Sequence, residues 1–237
     1  MNDTLYAQIV YFEREGRENL PYVLRVLKKA LKKRPELRSL KLVIFTAMGQ
    51  GPALAYNELS EFDIKIIAVM FPVDFSLKQE DGNKFFPRIP PKVKKFFDGV
   101  EIRVLEPAPL PFDSIEGLQA RNDQMKAIKS AISLFGGSFA LCVQAVLRAC
   151  DAGALEQGEA AIAMTGDCAA LVTASTTAKF LTPEGMSIKE IFCKPRNLTI
   201  AKPTALGTVQ PTQQVLEGST TAGLIENKSK ELPERTK

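Results

Sequence analysis

The 237-residue sequence contains no histidine. This absence excludes imidazole-based catalytic triads and imidazole metal sites, and it removes the side chain that most often serves as a general base near neutral pH. We therefore expect neither a serine–histidine hydrolase nor a zinc enzyme.

Long apolar runs and paired cysteines are also missing. No run approaches the roughly 20 residues that span a bilayer, and the first residues lack the basic start and the small-residue cleavage site of a signal peptide. The cysteines never form a C-x-x-C pair, and each lies in an apolar or small-residue context, which predicts buried reduced thiols. These four are Cys142, Cys150, Cys168 and Cys193. We expect a cytoplasmic protein.

Charge of one sign is not concentrated in any part of the sequence. Thirty-one Lys and Arg residues against 27 Asp and Glu residues give a formal net charge of +4. The basic residues are spread over candidate helices such as "RVLKKALKKR" and "PPKVKKFF" and are not collected with aromatic residues, which predicts solvated helix faces. We expect no nucleic-acid partner and no membrane partner.

The sequence does contain enough apolar residues for one large core, since 45% of it is hydrophobic. The candidate strands "YAQIVYF", "LKLVIF" and "IKIIAVMF" alternate with candidate helices, and Asn19 is a candidate N-cap of the first helix. That helix places five leucine and valine residues on one face: Leu20, Val23, Leu24, Leu27 and Leu31. The β-α-β-α-β order predicts an α/β fold with a largely parallel sheet and right-handed crossovers.

The second half of the sequence adds two amphipathic helices and further strands. Met125, Ile128, Ile132 and Phe135 mark the apolar face of the first of these helices. "AAIAMT" and "SIKEIFC" are candidate strands, and "CAALVTAS" fits either a strand or a short helix. We predict a single domain over residues 1–200 and a C-terminal tail over residues 201–237, either mobile or packed on a neighbouring subunit.

Residues 72–91 show no clear period and form an unusually long connection. Long loops inside compact domains are often lids or binding loops. A decorative insertion is the other interpretation, and both remain open.

The stretch "TAMGQGPALA" follows a candidate strand and begins a candidate helix. Such a turn points backbone N–H groups outward, and the helix dipole adds a positive charge of about half a unit, so an anion is stabilised there. The candidate contacts are Thr46, Ala47, Met48, Gly49, Gln50 and Gly51. The stretch matches neither a Walker A loop nor a G-x-G-x-x-G fingerprint, so an anion site and a plain turn both remain open.

A second turn of this kind, "TGD", follows the candidate strand "AAIAM". It contributes Thr165, Gly166 and Asp167. Because parallel strands end at the same edge of a sheet, the two turns can meet in one crevice. Taken alone, Asp167 fits an N-cap as well as a ligand contact.

Five motifs occur in an order that resembles a known family. They are "IVYFEREGREN", "TAMGQGPALA", "SLFGGSFALCVQAVLRACDAGAL", "TGDCAALV" and "IKEIFCKPRN". Together they resemble the stand-alone pyruvate kinase C-terminal-domain-like proteins of archaea and bacteria. The resemblance implies a three-layer α/β/α sandwich with a mixed, mostly parallel sheet. It also implies a phosphorylated ligand near the glycine turn, with flavin mononucleotide (FMN) as the cofactor, and it adds Glu18 and Asn19 of "GREN" to the candidate contacts.

The sequence departs from the family pattern at several polar positions. Gly51 stands where family members usually have a hydroxyl residue, and Pro72 and Asp74 stand where they have His and Gly. "PAPLPFD" replaces a stretch that contains His, and "TGDC" replaces "GADT". Several groups that orient a ligand in the family are therefore missing here.

Three functions remain open. The first is a binding or regulatory module for a phosphate-bearing small molecule such as FMN, without pyruvate kinase activity because the catalytic barrel has no counterpart in this length. The second is a flavin-dependent oxidoreductase or a phosphoryl-transfer enzyme, for which no catalytic residue is identifiable. The third is an assembly subunit with a vestigial ligand site. We expect a homo-oligomer.

Overall fold

One seven-stranded sheet forms the centre of the protein in the computed structural model, which describes residues 7–78, 82–113 and 117–198. In chain order the strands are β1 (Val10–Arg14), β2 (Lys41–Phe45), β3 (Ile66–Val69), β4 (Leu77–Lys78), β5 (Lys84–Phe85), β6 (Arg103–Val104), β7 (Ala160–Met164), β8 (Ala169–Thr173) and β9 (Ser187–Asn197). The order in the large sheet is β1-β9-β8-β7-β2-β3-β6, and β4 pairs with β5 in a small antiparallel sheet. Only β8 runs against its neighbours in the large sheet, which confirms the predicted mixed, mostly parallel α/β fold.

Five α-helices in the described ranges cover the two faces of this sheet. They are α1 (Leu20–Lys33), α2 (Gln50–Glu58), α3 (Pro91–Gly99), α4 (Gln119–Ile132) and α5 (Gly137–Asp151). Helices α1 to α3 pack on one face and α4 and α5 on the other, as in a three-layer sandwich. No helix in the described part of the chain is long and apolar enough to cross a membrane.

The alternation of side chains along β2 explains why this strand is apolar throughout. Leu42 and Ile44 belong to the core with α1 to α3, whereas Val43 and Phe45 belong to the core with α5. Successive residues of a strand point to opposite faces, and a strand covered on both faces must be apolar on both. The predicted apolar face of α1 packs against this sheet. All five of its residues are at most 7% exposed.

Several predicted boundaries differ from the structure. The ambiguous segment "CAALVTAS" contains strand β8, and β9 continues to Asn197 because its second half pairs in parallel with β1, where Arg14 lies opposite Asn197. The long connection at residues 72–91 contains the β4–β5 hairpin. The predicted tail, residues 201–237, lies outside the described residues.

Two local predictions are wrong. Asn19 precedes α1 but makes no side-chain cap; its Nδ2 atom donates to the carbonyl of Arg14 at 2.8 Å instead. Phe135 does not continue the apolar face of α4 and is 47% exposed. The helix ends at Ile132 and a 3₁₀ turn follows, which changes the angle between successive side chains.

Candidate functional site

The carboxyl ends of six strands lie at one edge of the sheet, and the predicted site residues lie in the turns that follow three of them. The β2–α2 turn begins at Thr46 and the β7–β8 turn at Thr165; because β2 pairs with β7, these two turns are neighbours. The "GREN" turn follows β1. It reaches the β7–β8 turn through a hydrogen bond of 2.9 Å from the Gly16 amide to Asp167 Oδ2. The structure therefore brings all three predicted turns to one edge.

Asp167 is the centre of a buried junction between these elements. Its carboxylate accepts the Gly16 amide, a hydrogen bond from the Ser138 side chain and a longer contact of 3.4 Å from Thr165 Oγ1, and the residue is 2% exposed. Glu15, which is also buried, accepts the amide of Gly137 at 3.4 Å. Both carboxylates thus lie at the amino end of α5, where the helix dipole favours negative charge.

The pKa of the Asp167 carboxyl is raised above its ordinary value. Burial is the largest cause, and the nearby Glu15 carboxylate acts in the same direction. The hydrogen bonds from Gly16, Ser138 and Thr165 act in the opposite direction without cancelling the effect of burial. Within the described chain, this carboxylate joins three segments of the protein. A contact from Asp167 to a ligand stays a prediction.

The "GREN" turn places one basic residue at the edge that the sequence reasoning missed. Gly166 lies against Arg17: a Cβ added to Gly166 would come within 3.1 Å of the Arg17 Cα. Arg17 is exposed, and so is Glu18, whose carboxylate folds back over Gly16. The signal for Arg17 was present, because it lies inside the motif that had drawn attention to its two neighbours.

The β2–α2 turn owes its glycines to backbone geometry and packing. Gly49 has φ +87°, which is unfavourable for other residues, and a Cβ there would come within 2.9 Å of Val93 and 3.1 Å of Phe97 in α3. Gly51 lies close to the sheet, since its Cβ would be 3.0 Å from Ile44. Both glycines are therefore explained without a ligand.

The same turn keeps some of its backbone donors available. The Gly49 amide donates to Thr46 Oγ1 at 3.0 Å, so this amide is not free to contact an anion. Thr46 Oγ1 is the acceptor in this bond, and a contact from its O–H to an anion stays a prediction. The helical hydrogen bonds of α2 begin with Ala53, whose amide donates to the Gly49 carbonyl at 3.1 Å. The amides of Gln50 and Gly51 precede this bond and belong to the unpaired first turn. Ala47, Met48 and Gln50 are half-exposed.

A cavity of about 190 Å³ lies at the carboxyl ends of β3 and β6, one strand beyond this turn. Its apolar lining includes Phe71, which stacks on Phe75 with ring centres 4.2 Å apart. Among the described residues, its charged lining consists of Arg88, Lys94 and Glu106. Part of the long connection lines this cavity: Pro72, Val73, Pro87, Arg88 and Ile89. That the connection is a lid or a binding loop stays a prediction.

Arg88 and Lys94 are functional candidates that the sequence reasoning did not select. Arg88 Nη2 donates to the Val73 carbonyl at 2.7 Å, which anchors the guanidinium at the cavity. Lys94 belongs to "PPKVKKFF", a segment whose sequence predicted only a solvated helix face. The described part of the charged lining is net positive, with two cations against one carboxylate, Glu106.

A second cavity, of about 370 Å³, lies in the layer of α4 and α5. It is lined by Arg121, Met125, Phe180 and neighbouring residues. The Arg121 guanidinium is already engaged by the carbonyls of Pro111 and Asp113, at 3.3 and 3.5 Å. This cavity is thus less suited to an anion than the one at the sheet edge.

Neither a metal nor a relative points to a more specific site. Across residues 7–78, 82–113 and 117–198, no group of three or more Cys, Asp or Glu side chains is arranged to hold a metal ion. In comparisons with known proteins, no family model and no curated protein matches the chain.

Proposed function

We propose that the protein is a binding or regulatory module for a phosphate-bearing small molecule, which it binds at the carboxyl edge of the sheet. The single observation that carries the proposal is the cavity at the ends of β3 and β6, with two cations in its lining and an aromatic ring beside them. Open α/β sheets bind ligands outside the carboxyl ends of their strands.

The charges of the cavity favour an anion. Arg88 uses one N–H on the Val73 carbonyl, and a guanidinium has five N–H donors in a planar fork that matches phosphate oxygens. Lys94 adds an ammonium group, and Glu106 is the one carboxylate that the described residues place in the lining. A dianionic phosphate is therefore better matched to this lining than a neutral or cationic group.

The size of the cavity indicates that it holds only part of a ligand. Its volume of about 190 Å³ is smaller than the roughly 300–1,000 Å³ of typical ligand pockets. The adjoining β2–α2 turn is close enough to contact the remainder, because the Thr46 amide donates to the Val69 carbonyl at 2.9 Å, next to the cavity residue Met70. The first-turn amides of α2 then supply a second place for an anionic group.

FMN is the candidate ligand that the family resemblance favours, and the resemblance itself stays a prediction. FMN joins a phosphate to a large aromatic ring, which suits cations beside Phe71. No residue at the edge is assigned a catalytic role, and we expect no pyruvate kinase activity.

FMN titration of matched variants tests where such a ligand binds. Arg88→Gln and Lys94→Gln each remove one cation from the cavity, and we expect each to weaken FMN binding by about 10- to 100-fold, the effect of one charge-assisted hydrogen bond. Lys92→Gln and Lys95→Gln are the controls, because these lysines are exposed on the same helix outside the cavity lining.

Two results would contradict the proposal. The cavity is the wrong place if all four variants bind FMN as the unchanged protein does. The ligand class is wrong if native mass spectrometry of the untreated protein shows no bound phosphate compound and neither FMN nor inorganic phosphate binds.

A further inference from the structure

Two buried cysteines lie side by side beneath the Asp167 junction. Cys142 Sγ and Cys168 Sγ are 3.4 Å apart, although 26 positions separate them in the sequence. Both are at most 1% exposed, and both are free thiols. This juxtaposition plays no part in the proposed ligand site.

The fold fixes one partner of this pair more firmly than the other. Cys168 closes the β7–β8 turn: its carbonyl accepts the Thr165 amide at 2.9 Å, and its Sγ lies 3.0 Å from Thr165 Oγ1. Cys142 lies in the second turn of α5, and its contact with Cys168 joins that helix to the start of β8. A third thiol, Cys193, lies on β9 opposite Ala169.

We propose that Cys142 and Cys168 form an oxidisable dithiol, which a peroxide converts into a disulfide and a small thiol reductant reopens. A disulfide has an S–S distance of about 2.05 Å. The two sulfur atoms therefore have to approach by only about 1.4 Å, which rotation of the Cys142 side chain with a small shift of α5 can supply. The proposal is independent of the proposed function.

The reaction balances with one peroxide molecule. The sulfur of one thiol attacks a peroxide oxygen, so that an S–O bond forms, the O–O bond breaks and one water leaves with the thiol proton. The second thiol then attacks the resulting sulfenic sulfur; the S–S bond forms, the S–O bond breaks and a second water leaves. The dithiol loses two electrons and two protons, and the peroxide is reduced to two waters.

Burial determines which oxidants act. It raises the pKa of the Cys142 thiol, and the neighbouring Cys168 sulfur acts in the same direction, so little reactive thiolate is present and the first step is slow. Hydrogen peroxide is small enough to enter during brief local opening, whereas glutathione disulfide needs direct access to the sulfur. We therefore expect slow oxidation by peroxide and none by glutathione disulfide in the folded protein.

The disulfide would tie α5 to the turn that carries Asp167. Closing a loop of this length restricts the unfolded chain, so the oxidised protein should unfold at a temperature higher by about 5–10 °C if the bond forms without strain. The disulfide would then join the same segments that the hydrogen bonds of Asp167 with Gly16, Ser138 and Thr165 already hold together.

Thiol counting and peptide mapping of the full chain test the proposal. After treatment with hydrogen peroxide, alkylation in denaturant should find two of the four cysteines protected, with an intact mass lower by about 2 Da, the mass of two hydrogens. Digestion with trypsin and a glutamate-specific protease cleaves after Arg148 and Glu156 and so places Cys142, Cys150 and Cys168 on separate peptides. It should give one linked peptide pair containing Cys142 and Cys168, and dithiothreitol should restore all four thiols.

Matched variants separate this pair from the other cysteines. Cys142→Ser should abolish the loss of 2 Da, whereas Cys150→Ser and Cys193→Ser should retain it. Mapping of the unchanged protein needs no variant, so the test stands even if a substitution prevents folding. The proposal is overturned if the folded protein keeps four free thiols in peroxide, or if the linked peptides contain Cys193 or Cys150.

Discussion

Asp167→Asn is expected to change how the stability of the protein depends on pH. Burial raises the pKa of the Asp167 carboxyl above the ordinary value of 3.8. Between that value and the raised one, the folded state binds more protons than the unfolded state, so the free energy of unfolding falls as pH rises through this window. Asparagine does not ionise. The variant should therefore gain stability relative to the unchanged protein as pH rises.

The pKa difference of Asp167 sets the size of the pH dependence, and its hydrogen bonds set the cost of removing the side chain. A pKa difference of one between the folded and unfolded states corresponds to about 1.4 kcal/mol. Asparagine keeps an oxygen that accepts the Gly16 amide, so the substitution should cost little near pH 4. Asp167→Ala removes the acceptor of both Gly16 and Ser138 and should cost about 2–4 kcal/mol, since buried donors left unpaired cost about 1–3 kcal/mol each.

Urea unfolding at several pH values between 4 and 8 measures these differences. Asp151→Asn is the control, because Asp151 also accepts a backbone amide, that of Thr177 at 2.9 Å, but is exposed. We expect the stability difference between Asp167→Asn and the unchanged protein to move in favour of the variant as pH rises. A difference that stays constant, or moves the other way, would refute the argument from burial.

Three further substitutions test the turns and the ion pairs. Gly49→Ala should cost about 2–4 kcal/mol, because alanine is strained at φ +87° and its Cβ meets α3. The control Gly158→Ala has a similar φ of +82° but open space around the Cβ, and it should cost only about 1–2 kcal/mol. Equal losses in thermal unfolding would show that contact with α3 is unimportant. Thr46→Val removes the acceptor of a turn amide and should cost about 1–2 kcal/mol without loss of the sheet, and an unchanged urea midpoint would argue against this hydrogen bond. Arg34 pairs with the carboxylates of Glu190, whose side chain is 13% exposed, and of Glu36, whose side chain is 65% exposed. Glu190→Gln should lower stability by about 1 kcal/mol, and less at high salt, whereas Glu36→Gln should cause no measurable change; similar losses from both would contradict the role of burial.

The parts of the fold that depend on local periodicity could be predicted from the sequence. The apolar face of α1 and the apolar strands β2 and β3 are each specified by neighbouring residues, and their alternation indicated a parallel sheet. The extension of β9 could not be predicted, because it depends on parallel pairing with β1 at the other end of the chain. Pro195 lies within that strand although proline has no N–H for a sheet hydrogen bond.

The site was less accessible to sequence reasoning than the fold. The meeting of the three turns followed from parallel strands, but the role of Asp167 depends on partners far away in the sequence, such as Gly16 at 151 positions. Likewise, Arg88 and Lys94 become a pair of cations only where the loop and α3 line one cavity. For Gly49 and Gly51 the sequence left an anion site and a plain turn both open, because the packing of α3 and β2 against these glycines is invisible in the sequence.

Calorimetric titration with FMN and with riboflavin tests the central claim most directly. The two compounds share the flavin ring and the ribityl chain, and only FMN carries the phosphate. If the carboxyl edge of the sheet binds the phosphate through the cations of the cavity, FMN should bind at least about 10-fold more tightly than riboflavin, and the difference should shrink with added salt. Equal affinities for the two compounds, or no binding of FMN at all, would contradict the account.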